Sequence, residues 1–208
     1  MPRVLPSRRR VRSLLGLLLE MALITGAVFL GLLADEWREN RQQQRLADTA
    51  LERFRAEVET NKLAIEAVRE THQALLDRVA AFLQADSQKT LLAFATQVRF
   101  AGIRAPSFDR TALDLAIGTG SLGYIDSDLV YAISRTYTAQ TRLERLQDGF
   151  REAMLGPTTF ATPDTTGVAI ALQAYLTDIV IQEPQLIERY TTLAAELDAA
   201  LGATRSAE

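Results

Sequence analysis

At 208 residues the chain is long enough for one domain and an appendage, and too short for most large multidomain enzymes. A composition of 48% hydrophobic and 24% charged residues excludes global disorder. With no cysteine there are no disulfides, thiolate metal clusters or cysteine nucleophiles. The single histidine, His72, leaves zinc sites, facial triads and serine triads without their commonest part.

The formal net charge of −3 divides unevenly. Five arginines against one acid give +4 over residues 1–34, which leaves −7 for residues 35–208. The arginines are Arg3, Arg8, Arg9, Arg10 and Arg12, and an apolar run from Ser13 to Ala34 follows, interrupted only by Glu20. As helix, at about 1.5 Å per residue, these 22 positions reach about 33 Å, close to the ~30 Å of a bilayer's hydrocarbon. We therefore expect a transmembrane helix over 13–37 and, by the positive-inside rule, a cytoplasmic tail over 1–12. Asp35, Glu36 and Trp37 open the opposite flank, which places the rest of the chain in the periplasm of a bacterial inner-membrane protein. The competing readings are a buried core helix and a cleaved signal peptide. Ala34 offers a cut site for the latter, although Leu32 and Leu33 fit poorly before it. Ser7-Arg8-Arg9 matches a twin-arginine export signal only weakly. Glu20 fits the cytoplasmic headgroups if the span runs from Met21 to Trp37, with Trp37 in the far aromatic belt; the sharper alternative is a helix–helix contact within an oligomeric span.

Beyond the span, Trp37, Asn40, Gln44, Ala47, Leu51, Phe54, Val58, Asn61, Ile65, Val68, His72, Leu75, Val79 and Phe82 alternate at spacings of three and four. From Ala47 onward this is five heptads of mostly apolar seam, with no proline or glycine between Asp35 and Gln84 to stop a helix. A long stalk or bundle helix is expected over 38–86. Such a seam is covered either by self-association as a coiled coil or by the chain's own later helices, and the apolar character of those helices favours the second. Asn61 and His72 interrupt the seam as register-setting polar residues. For His72 a pH-sensing or metal role is the alternative, with no second ligand apparent.

The remaining bundle, 87–205, reads as helices with polar punctuation. A helix from Ser87 to about Ala101 is followed by a short one, capped by Ser107 or Asp109 and running through Thr111 to Ile117, and by a glycine-rich turn over Gly118–Gly123. Ser127 then caps a long helix to about Leu155. Residues 156–167 form the most loop-like stretch. A helix from Thr166 to Gln182 comes next, and Pro184 opens a terminal helix that Gly202 ends. The fold class is thus all-α: one transmembrane helix continuous with a heptad-patterned helix that packs in an antiparallel bundle.

Gly118, Gly120 and Gly123 match a G-x-G-x-x-G dinucleotide fingerprint. The chemistry needs a parallel strand before the turn and an acid at the end of a second strand, whereas Glu144 and its neighbours fall within a helix. A turn that uses glycine for positive φ is the better reading. Other acids lie at helical surface spacing, and the −7 of residues 35–208 argues against nucleic acid as a partner. We assign no catalytic, cofactor-binding or metal-binding residue and no cofactor.

Glu20, the following span and Trp37-Arg38-Glu39-Asn40-Arg41 resemble the signature of an uncharacterised family of bacterial single-span proteins, in which a glutamate opens the membrane helix and a W-x-E-x-R element closes it. The Asn61 helix and the segment from Thr111 to Asp126, with Gly120 and Leu122 in place, are similar to that family as well. Ala27 departs from it at a position where the family pattern often has glycine. The resemblance implies architecture and topology, and no activity. The functional expectation is a non-enzymatic, membrane-tethered interaction or scaffolding module that meets the bilayer and an envelope protein or a second copy of itself. The membrane interface would involve Arg8, Arg9, Arg10, Glu20 and Trp37. The alternative is a bundle that senses a small ligand, with the turn of Gly118, Gly120, Gly123 and Asp126 at its mouth. A hydrolase or nucleotide enzyme is the third class.

Overall fold

The computed structural model describes the backbone from Arg8 to Ala207 apart from residues 101, 155 and 157–163. Side chains are described from Leu19 to Ser206, except at those positions and at 204–205. Arg8, Arg9 and Arg10, as side chains, lie outside the described residues. The chain divides into two compact units, Met1–Leu46 and Ala47–Glu208.

The first unit holds the beginning of α1 (Arg8–Gln84). Leu19, Met21, Leu23, Ile24, Val28, Phe29, Leu30 and Leu32 are 60–67% exposed there. At 100° per residue these positions fall on every side of the helix. Trp37 is also exposed, with the Arg41 guanidinium 4.3 Å from its ring centroid. Among the described residues no helix is long and apolar enough to cross a membrane; the side chains of residues 13–18, the start of the expected span, lie outside the description.

The second unit is all-α, and its core is built on the heptad seam. Of the seam positions from Ala47 to Phe82, all are buried except Val68, which is half-buried. Phe54, Val58, Ile65 and Val79 are fully enclosed and join Ile133 and Leu143 of α4 (Ser127–Met154) and Leu172, Leu176, Ile179 and Leu197 of α5 (Thr166–Ala207) in one cluster. Each such side chain contributes about 1.5–3 kcal/mol by leaving water.

Contacts between elements set the directions. Arg55 meets Asp198 and His72 meets Glu183, so α5 runs antiparallel to α1. Tyr137 meets Glu57 and Gln140 meets Asn61, so α4 runs parallel to α1. The antiparallel bundle expected from sequence is therefore realised by α5 against both partners, while α1 and α4 are parallel neighbours. Parallel helices require a crossover, and residues 85–126 supply it with α2 (Leu91–Val98), α3 (Thr111–Thr119) and a 3-10 turn over Ser121–Tyr124.

Helix ends follow local chemistry that the periodicity does not carry. Lys89 Nζ donates to the carbonyls of Phe82 and Ala85 and so closes α1. Thr90, not Ser87, caps the next helix by accepting from Ala93 N, which shortens the expected 87–101 helix to α2. Arg78 of α1 donates to the Val98 carbonyl at the other end of α2, and Phe82 meets Phe94 edge-on at 5.4 Å. The cap of α4 is Asp126, whose Oδ1 accepts from Asp128 N at 3.0 Å and Leu129 N at 3.3 Å, one residue before the expected Ser127. Pro184 does not divide α5, and Gly202 lies within it. A proline removes one i→i−4 hydrogen bond, but Ile179, Glu183, Leu186 and Tyr190 are buried on both sides of Pro184, so packing carries the helix through.

Candidate functional site

Two buried polar layers cross the bundle. The first joins all three long helices to the crossover. Asn61 is fully buried; its Nδ2 donates to the Asp109 carbonyl at 2.8 Å and to Gln140 Oε1 at 3.2 Å, and its Oδ1 accepts from Asp109 N at 2.7 Å. A carboxamide is suited to this position because it satisfies a backbone donor and acceptor together. Tyr190 donates to Gln140 Oε1 at 2.8 Å. Glu57 accepts from the Tyr137 hydroxyl and, at 2.8 Å, from Ala112 N. The second contact serves as the missing cap of α3, because Arg110 at its start provides none. Burial, with the Glu57 carboxylate beside it, pushes the Tyr137 phenol up from its ordinary value; burial, with Glu144 and Glu57 nearby, does the same to Tyr190. Both phenols stay protonated donors at neutral pH. Both oxygens of Glu57 are engaged within the chain, so this layer is a clamp that holds the crossover to α1 and α4.

The second layer is less satisfied. His72 Nδ1 lies 2.6 Å from Glu183 Oε1, with the two side chains 1% and 0% exposed. His72 Nε2, Glu183 Oε2 and Gln147 Nε2 are buried with no hydrogen-bond partner among the described residues. Burial, and secondarily the Glu183 charge, raises the phenol of Tyr175 to about 12. Tyr175 also stacks on Phe150 at 4.0 Å between centroids. Among the described residues no group of three or more His, Asp and Glu side chains is arranged to hold a metal ion.

A cleft of about 550 Å³ opens between the crossover and α4, within the ~300–1,000 Å³ range typical of small-molecule sites. One wall is apolar: Leu113 and Ile117 of α3, Leu122 of the 3-10 turn, and Val130 and Ile133 of α4. The Tyr137 ring stands midway along α4, followed by the hydroxyls of Thr138 and Thr141 and then by Arg142 and Arg145. These α4 residues recur at spacings of three and four and so share one helix face. Arg110 also lines the cleft; it pairs with Asp114 at 3.3 Å and lies near enough to the Tyr137 phenol to act on it electrostatically. Among the described residues no acidic side chain lines the cleft. Arg142 and Arg145 are exposed, and neither is in an ion pair among the described residues.

The residues singled out from sequence are placed apart from one another. Asn61 and His72 are both fully buried, one in each polar layer. Gly118 lies within α3, Gly120 ends it at φ +70°, Gly123 belongs to the 3-10 turn, and Asp126 caps α4. Leu113 to Ile117, which would be the strand of a dinucleotide fingerprint, is helical. A Cβ built on any of the three glycines meets nothing within 4 Å, so none of them marks a close backbone approach. The turn nevertheless adjoins the cleft, through Ile117 and Leu122. Sequence reasoning missed Glu57, Gln140 and Glu183. Glu57 carried a faint signal, as an acid wedged between the seam residues Phe54 and Val58. Comparison of the chain with protein-family models, with curated proteins and with solved structures found no match.

Proposed function

We propose that the chain is a membrane-anchored, non-enzymatic interaction module of the bacterial cell envelope. In this reading residues 13–37 cross the inner membrane, the arginine-rich tail stays in the cytoplasm, and the helical bundle works in the periplasm against an envelope protein or a second copy of itself. The observation that carries it is the apolar surface of α1 between Leu19 and Leu32, exposed on all sides. Eight large apolar side chains left in water would cost on the order of 10 kcal/mol, comparable to the whole stability of a domain. A helix that is apolar all round belongs in a core or in lipid. The resemblance of Glu20 to Arg41 to a single-span signature supports the same placement, as does the run of arginines before it. The test is crosslinking in intact cells followed by sizing in detergent. Recovery of a discrete adduct or a defined oligomer is expected; a monodisperse monomer with no crosslinked partner would overturn the interaction role.

A second reading, a bundle that binds a small ligand and acts through a partner, is favoured by the cleft between the crossover and α4. Its arginines and apolar wall form a binding surface, with the hydroxyls of Ser134, Thr138 and Thr141 between them.

A further inference from the structure

The lining of the cleft changes character along its length. Val130 and Ile133 lie at one end of the α4 face, with Leu113, Ile117 and Leu122 across from this face; Thr138 and Thr141 follow, and Arg142 and Arg145 stand at the other end. From Val130 to Arg142 the helix rises about 18 Å at ~1.5 Å per residue. A cleft of this length that is apolar at one end, passes Ser134, Tyr137, Thr138 and Thr141, and terminates in guanidinium groups matches one kind of occupant, an apolar chain with an anionic head. Small hydrophilic anions such as free phosphate leave the apolar wall uncovered, and neutral hydrocarbons leave the arginines unmatched. Guanidinium groups favour carboxylate because two parallel N–H donors meet its two oxygens. The neighbouring threonine hydroxyls supply further donors. The arginines are clustered in a region, residues 35–208, whose balance is −7, and Asp148, the acid nearest in sequence to Arg145 on the C-terminal side, is already paired with Arg151 at 2.6 Å.

We propose that this cleft binds a medium-chain aliphatic monocarboxylate, with the chain against Ile117, Leu122 and Val130 and the carboxylate between Arg142 and Arg145. The proposal deepens the ligand-binding reading and is independent of membrane anchoring, so either can fail while the other stands. The test is isothermal titration of decanoate into the full-length chain held in lipid nanodiscs, with empty nanodiscs as the blank. Decanol serves as the neutral counterpart and the variant R142E/R145E as the charge reversal. Both arginines are exposed, so the variant keeps the core intact, and its far-UV spectrum and unfolding midpoint verify this. Arg151→Glu, outside the cleft, controls for net charge. Saturable decanoate binding is expected, at least tenfold tighter than decanol, at least tenfold weaker in R142E/R145E and unchanged in R151E. The absence of saturable decanoate heat, equal affinity for decanol, or equal affinity in R142E/R145E would each overturn the proposal. Failure confined to this titration, with crosslinked partners still recovered in cells, rejects the ligand and spares the interaction module.

Discussion

Replacing Glu183 by leucine takes away the carboxylate that lies 2.6 Å from His72 Nδ1 and leaves the imidazole, 1% exposed, in the middle of the bundle without its partner. Removing one member of a buried, hydrogen-bonded ionisable pair costs about 3–5 kcal/mol, a large share of the 5–15 kcal/mol typical of a domain. His72→Leu is expected to be similarly damaging, because it strands Glu183, which is fully buried and whose Oε2 already has no partner among the described residues. The double variant H72L/E183L removes both desolvated groups and the orphaned His72 Nε2 with them, and fills the layer with hydrocarbon. It should fall near the parent, or be about 1–4 kcal/mol more stable. Urea unfolding of the full chain, followed by circular dichroism, measures all four corners of the cycle, and an unchanged m-value verifies that the compared states are the same. Single variants within about 1 kcal/mol of the parent, or a double variant worse than either single, would refute the reasoning.

Asn61→Ala should cost about 2–4 kcal/mol, because it leaves Asp109 N unpaired where it now donates at 2.7 Å to Asn61 Oδ1; faster proteolysis in the 102–110 segment of the crossover should accompany the lower urea midpoint. Stability should fall on the alkaline side, since Tyr137, Tyr175 and Tyr190 are raised in the fold above the ordinary value near 10. The folded chain therefore keeps phenolic protons that the unfolded chain loses. Each tyrosine then lowers stability by up to about 1.4 kcal/mol per pH unit above pH ~10. For Tyr175 the decline ends near its folded value of about 12. Urea midpoints between pH 8 and 11 report the slope, Tyr175→Phe should reduce it, and a flat profile would contradict the assignment. Asp198→Asn breaks the Arg55–Asp198 pair, whose side chains are 31% and 57% exposed, and should cost less than about 1 kcal/mol in the same assay, with little effect at high salt.

The seam was legible from Ala47 to Phe82 because burial on one face leaves a periodic trace, and a three-four alternation without proline or glycine admits few other structures. The all-α class and, to within a residue, the starts of α4 and α5 followed from turn formers and cap residues; the start of α3 did not, since neither Ser107 nor Asp109 caps it and Arg110 stands at its N-cap. The parallel arrangement of α1 and α4 was not legible, because periodicity tells which face is buried and not the direction of the helix that covers it. Pro184 was read as a boundary because the local rule is strong, and it was overridden by burial on both sides, which the local rule cannot see. The same limit applies to the site. Glu57, Gln140 and Glu183 look like ordinary surface polar residues until distant partners close over them: Tyr137 on Glu57, Asn61 and Tyr190 on Gln140, and His72 on Glu183. The cleft needs α3 folded back along α4 before Ile117 and Arg142 line the same cavity, and nothing in either segment alone signals that.

Anchoring of the chain in the membrane with its bundle outside is tested most directly by cysteine accessibility, since the native chain has no cysteine to remove first. Ser7→Cys and Ser206→Cys, introduced singly, are treated with a membrane-impermeant maleimide in intact spheroplasts and after permeabilisation. Labelling of the Ser206 position in intact spheroplasts, of the Ser7 position only after permeabilisation, and retention of both variants in carbonate-washed membranes are the predicted results. Release of the chain into the soluble fraction, or the opposite labelling pattern, would contradict them.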